Sequence, residues 1–171
     1  MHLVWPGISV DNTLIIPVDK SEFGIQTSPL ELAGKIFKPK REAHITVFGS
    51  SVGTSLLQQI RFKPEIEQQI SHAFENTDWS YKKTTDFRHL VRTCTGPYAA
   101  DTTEESIIIL LEMEGMTSFY QSLKALELID NDLPVPPPHV TLYTFNCDRG
   151  IGVPSQNQLV KLTHQYLQKP V

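Results

Sequence analysis

Apolar and polar positions along this chain change period several times, and the changes mark its elements. Residues 12–18 (NTLIIPV) form a short apolar run that predicts a strand. Residues 29–37 place Leu30, Leu32, Ala33 and Ile36 behind a Ser28-Pro29 start, which predicts a short helix capped by Ser28. Residues 44–48 are β-rich and end at the turn signal Gly49-Ser50-Ser51. A helix is predicted over 64–74, with Ile66, Ile70 and Phe74 on one face and Glu65 and Glu67 at the positive end of its dipole. Strands are predicted over 85–95, with Phe87, His89 and Val91 on one face, and over 106–112, where Gly115 follows as a breaker. Helical spacing returns at Phe119, Leu123, Leu126 and Ile129, predicting a helix over 117–129. A proline segment over 133–138 leads into a β-rich stretch, 139–145, and a final helix is predicted over 155–167. Strands joined partly by helices and partly by turns make an α+β fold.

Composition adds bounds. The chain has 171 residues, 40% of them apolar and 20% charged, which suits one globular domain over 1–171. A net charge of -4 argues against a protein that coats long nucleic acid through a broad basic surface. Cys94 and Cys147 cannot build a disulfide framework and read as free thiols of a reducing compartment. The longest aliphatic run, 107–111, is far short of the roughly 20 residues a membrane span needs. The expectation is a cytoplasmic monomer with no membrane contact, no obligate protein partner and no secretion signal.

Chemistry enters through a repeated pattern. His44-Ile45-Thr46-Val47-Phe48 and His139-Val140-Thr141-Leu142-Tyr143 both read His, aliphatic, Thr, aliphatic, aromatic. Six histidines in a chain of this composition are expected to give about 0.08 matches to His-apolar-Thr-apolar, so two matches exceed chance. Period-two alternation puts His44, Thr46 and Phe48 on one strand face, and His139, Thr141 and Tyr143 on the corresponding face of the other strand. Where the two polar faces meet, two imidazoles and two hydroxyls surround one site. A neutral imidazole takes a proton from a nucleophile, a protonated one gives a proton to a leaving oxygen, and the hydroxyls donate to phosphate oxygens. This scheme requires no metal and no cofactor.

These paired segments resemble the two-histidine (2H) phosphoesterase superfamily, which includes LigT-like RNA cyclic phosphodiesterases and plant-type cyclic phosphodiesterases. The resemblance rests on HITVF and PHVTLY and on their separation. It implies a bilobal fold, with two antiparallel sheets lining a central cleft, helices packed outside and one motif on each lobe. It also implies metal-independent phosphodiester chemistry on a cyclic or 2′,5′-linked nucleotide or an RNA end. His44 and His139 would be the acid/base pair, in either order, and Thr46 and Thr141 the phosphate ligands. LigT-like members often carry an Arg shortly after the second motif; here the stretch is Thr144-Phe145-Asn146.

Other candidates flank the pair. Phe48 and Tyr143 are placed to stack a nucleobase or to pack. Lys38-Pro39-Lys40-Arg41 precedes the first motif and supplies local positive charge, with Arg41 the candidate for substrate binding. Arg88 and His89 must face opposite sides of their strand; with Arg92 they are minor candidates. The proline segment reads as a stiff lead-in to the second motif. Two other functions stay open: a nucleotide- or RNA-binding module that keeps the cleft without turnover, and a metal-dependent hydrolase using His44 and His139.

Overall fold

The computed structural model describes residues 1–96 and 99–168. It is α+β: four α-helices and one open eight-stranded sheet, all of whose strand pairs are antiparallel. In chain order the strands are β1 (Leu14–Pro17), β2 (Leu30–Leu32), β3 (Lys35–Pro39), β4 (His44–Phe48), β5 (Lys82–Gly96), β6 (Ala99–Glu112), β7 (His139–Phe145) and β8 (Thr163–Leu167). The helices are α1 (Ser50–Phe62), α2 (Glu65–Glu75), α3 (Glu114–Ala125) and α4 (Gln156–Leu162). The spatial order is β1-β4-β7-β6-β5-β8, with β3 also pairing to β7 and β2 to β3. The strands expected in two sheets are therefore hydrogen-bonded into one. The seam between β4 and β7 is narrow, with Ile45 opposite Val140 as its paired position.

One face of the sheet carries the main core. Ile45, Val47, Ile107, Ile109, Val140 and Leu142 pack there against Leu56 of α1, Ile70 and Phe74 of α2 and Phe119 and Leu123 of α3. The stripe Ile66, Ile70, Phe74 expected for α2 is buried as a set. The opposite face has a smaller cluster of Leu90, Ile108, Ile151, Val153 and Leu159, formed by α4 and the segment before it. No helix among the described residues is long and apolar enough to cross a membrane.

Three elements differ from the expectation. Residues 29–37 form the β2–β3 hairpin, not a helix. Ala33 (φ 52°) and Gly34 (φ 74°) take the left-handed conformation that a tight two-residue hairpin turn demands. Leu30 and Leu32 alternate with Glu31, a strand period inside what also fits helical spacing. Residues 50–53, expected as a turn, begin α1, and Gly115 lies in the first turn of α3 rather than breaking the chain. The final helix ends at Leu162. Ser155 caps its start, its hydroxyl accepting from Gln158 N at 3.2 Å, and the β-rich run THQYL then pairs along β5 as β8.

Candidate active site

The two motif strands lie side by side. Running the antiparallel pairing outward from Ile45–Val140 sets His44 opposite Thr141 and Thr46 opposite His139. Strand geometry then puts the two histidines on a diagonal, with Cβ atoms about 7–8 Å apart. All four side chains share the sheet face opposite the main core. Thr141 pairs with Ile108 of the smaller cluster, and His139 pairs with Leu110, which packs on that cluster. His44 and Thr46 pair with Pro17 and Ile15, whereas the alternate residues Leu14 and Ile16 are buried in the main core.

The fifth motif position departs from alternation in both copies. Leu14 pairs with Phe48 but Ile15 with Thr46, so β4 carries one extra residue after its threonine. Ile107 pairs with Tyr143 but Ile108 with Thr141, so β7 carries one extra residue at the same place. Each extra residue is a β-bulge that turns the following side chain to the other face. Phe48 is 1% exposed and Tyr143 3% exposed, both in the main core. Neither ring offers a face to a base, which corrects the expected stacking role. The Tyr143 hydroxyl instead accepts from Gln26 N at 3.3 Å.

His139 is nearly covered, at 8% exposure. Its Nδ1–H donates to the Pro137 carbonyl at 2.8 Å, which fixes the tautomer and makes Nε2 the ring nitrogen that carries the lone pair. The proline segment is thus a structural aid: it aims one carbonyl at the motif imidazole. Burial pushes the His139 pKa down, the Pro137 bond works against that, and the charge of His44 adds to it. His44 is half-buried, and its Nδ1 is enclosed without a partner. Burial lowers its pKa, Lys40 lowers it further, and Glu42 opposes.

The charged residue brought to the site is Lys40, not Arg41. Arg41 lies in an exposed bend after β3. Lys40 N donates to the Leu142 carbonyl at 2.9 Å, and its Nζ reaches across to the Asp148 carbonyl at 2.8 Å. The loop after β7 forms the neighbouring wall. Ile151 N donates to Ser106 Oγ at 3.0 Å, and Gly150 (φ 87°) lies against Thr141. A Cβ on Gly150 would stand 3.2 Å from Thr141 Cγ2 and 3.3 Å from Oγ1, so both its backbone angle and its closeness to the hydroxyl call for glycine. Lys40 was within the basic run visible in the sequence; Gly150 had only an Arg-Gly turn to signal it.

Arg88 and His89 do face opposite sides. Arg88 is bonded by Nε (2.9 Å) and Nη2 (2.7 Å) to Asp86 and lies over the Tyr166 ring. His89 is on the main-core face, where its Nε2–H donates to Glu105 at 2.8 Å. Arg92 pairs with Glu104. Among the described residues, no group of three His, Cys, Asp or Glu side chains is placed to hold a metal ion. Cys94 and Cys147 are unbridged.

The buried histidines predict an acid-sensitive fold. His44, His89 and His139 all have pKa values below the ordinary 6.5, in each case chiefly through burial. A histidine with a lowered folded-state pKa takes up its proton first in the unfolded chain. Its stabilising contribution is complete above 6.5 and is lost as pH falls toward the folded-state value. The thermal midpoint should therefore drop between pH 7 and pH 5, as scanning calorimetry in matched ionic strength would record. A midpoint unchanged across that range would show that these imidazoles do not titrate with folding.

No family model matches the chain, and neither a curated protein nor a solved structure matches it.

Proposed function

We propose that the protein is a two-histidine phosphodiesterase, acting without a metal on a cyclic or 2′,5′-linked nucleotide or an RNA end. The observation that carries this reading is the pair of bulged strands, which present two imidazoles and two threonine hydroxyls on one sheet face. The two motif strands meet at the narrow β4–β7 seam, one motif on each side of it, within the single open sheet.

His139 is the base. It is neutral, its Nδ1–H is committed to Pro137, and its Nε2 lone pair accepts the proton of the attacking water or ribose hydroxyl. As the oxygen–phosphorus bond forms, the bond to the leaving oxygen breaks, and the imidazolium of the more exposed His44 delivers its proton there. The Thr46 and Thr141 hydroxyls, which form no side-chain hydrogen bonds to described residues, donate to the non-bridging oxygens as charge builds on them. His44 must be protonated in the free protein, and its pKa lies below 6.5. The kcat/KM profile is therefore expected to be falling with rising pH already below about 6.5, and activity to survive excess EDTA.

The deciding experiment is a panel of ribose 2′,3′-cyclic phosphates, ADP-ribose cyclic phosphate and 2′,5′-linked dinucleotides, with products read by mass spectrometry across pH 5 to 9. Cleavage with an optimum above pH 8 removes the acid/base assignment. The near-complete enclosure of His139 favours a second reading, nucleotide binding without chemistry. Tight binding of a panel member with no cleavage at any pH selects it.

A further inference from the structure

Residues 40 and 45 are both seated on β7, and they are seated close together. Lys40 N donates to the Leu142 carbonyl, while Ile45 lies opposite Val140. Two positions along one strand span about 7 Å, so residues 41–43 form an outward excursion whose two ends, Lys40 and His44, nearly meet. Thr141 lies between Val140 and Leu142. Lys40, beside Leu142, and His44, opposite Thr141, thus both border it. The Lys40 side chain turns toward the loop that follows β7, and its ammonium is held by the Asp148 carbonyl. A carbonyl neutralises none of its charge, and among the described residues no carboxylate oxygen lies within ion-pair distance of it. The same loop brings Gly150 onto the Thr141 hydroxyl without a side chain.

We infer that Lys40 is the anion-binding corner of the motif site, its ammonium taking a non-bridging phosphate oxygen beside the Thr141 hydroxyl. This rests on the phosphodiester reading of the site and adds a residue that the repeated motif does not contain. The charged and titratable groups facing His44 are Lys40 and Glu42, which precede it in the chain, and His139 from β7. Lys40 is the one lysine or arginine among them. It therefore binds anions by simple attraction, and it holds His44 ready to release its proton.

The test needs no substrate. The His44 and His139 ring signals are followed by NMR against pH and against inorganic phosphate, in the wild type, Lys40→Gln and Lys40→Arg. The expected result is that inorganic phosphate perturbs both rings in the wild type, that Lys40→Gln weakens its binding by about tenfold or more, and that Lys40→Arg stays close to wild type. Lys40→Gln should also move the His44 titration to higher pH, whereas a merely structural loss would move neither the titration nor the arginine rescue. Equal phosphate binding and an equal His44 titration in wild type and Lys40→Gln would overturn the inference, as would the absence of any phosphate effect in the wild type. Lys40-dependent phosphate binding in a protein that cleaves no panel member would uphold the corner and overturn the catalytic reading instead. Turnover by Lys40→Gln with unchanged kcat/KM and pH profile would do the reverse.

Discussion

Under the proposed reaction, replacing His139 with alanine is expected to lower turnover by about 10²–10⁴-fold, the range expected when a positioned acid or base is lost. Replacing His44 with alanine does the same. The two losses are not additive, because a single displacement needs both proton transfers. The variants should differ in another respect. His139 is nearly covered and bonded to the Pro137 carbonyl, so His139→Ala also opens a gap beside Leu110 and Val140. His44 is half-buried with an unpartnered Nδ1, so its removal costs little stability. Steady-state kinetics with urea unfolding on both variants separates the two effects. Full activity in either variant removes that histidine from the mechanism.

Glu105→Ala should be strongly destabilising, although Glu105 lies on the far side of the sheet from the motif residues. Glu105 is fully buried, and its carboxylate accepts from Lys35 of β3, from His89 Nε2 at 2.8 Å and from Thr103 Oγ1 at 2.9 Å. Burial alone would raise its pKa, but these three donors and the Lys35 charge outweigh it and hold the carboxyl ionised below its ordinary range. Removing it leaves a buried imidazole with both nitrogens unsatisfied, since His89 Nδ1 already lacks a partner. It also removes the Lys35 side-chain tie between the β2–β3 hairpin and β6. Breaking such a network by deleting one member costs about 3–5 kcal/mol, on the order of 10 °C in Tm for a chain of this length. Lys35→Ala should cost much less, because Lys35 is 41% exposed and finds water when released. Equal and small losses for the two variants in urea titrations would show that the buried carboxylate network contributes little to stability.

Much of the motif site could be read in advance because its determinants are local. His-aliphatic-Thr fits a strand, and alternation correctly put His44 with Thr46 and His139 with Thr141. Alternation failed at Phe48 and Tyr143 because a bulge needs no distinctive residue: Val47 and Leu142 are ordinary strand residues, and only the partner strand reveals the extra one. The preference for Lys40 over Arg41 was equally invisible, since it depends on a hydrogen bond to a loop more than 100 positions away. The fold shows the same division. The stripe of α2 has one period and is found where expected. Residues 29–37 satisfy two periods at once, and the left-handed turn at Ala33-Gly34 decides between them. For residues 163–167 the deciding factor is the free edge of β5, which lies far away in sequence.

The pairing of His44 with Thr141 and of Thr46 with His139 has a consequence of symmetry. Antiparallel strands bearing the same short unit are related by a local twofold axis, which here passes through the Ile45–Val140 pair, perpendicular to the sheet. A tetrahedral phosphate has twofold axes of its own, so a group centred on that line meets an imidazole and a hydroxyl on either side. The arrangement of the four side chains does not by itself say which end of the scissile bond is attacked and which departs. In the proposed reaction, direction comes from what breaks the symmetry: the Pro137 carbonyl and deep burial on one side, and solvent with Lys40 on the other.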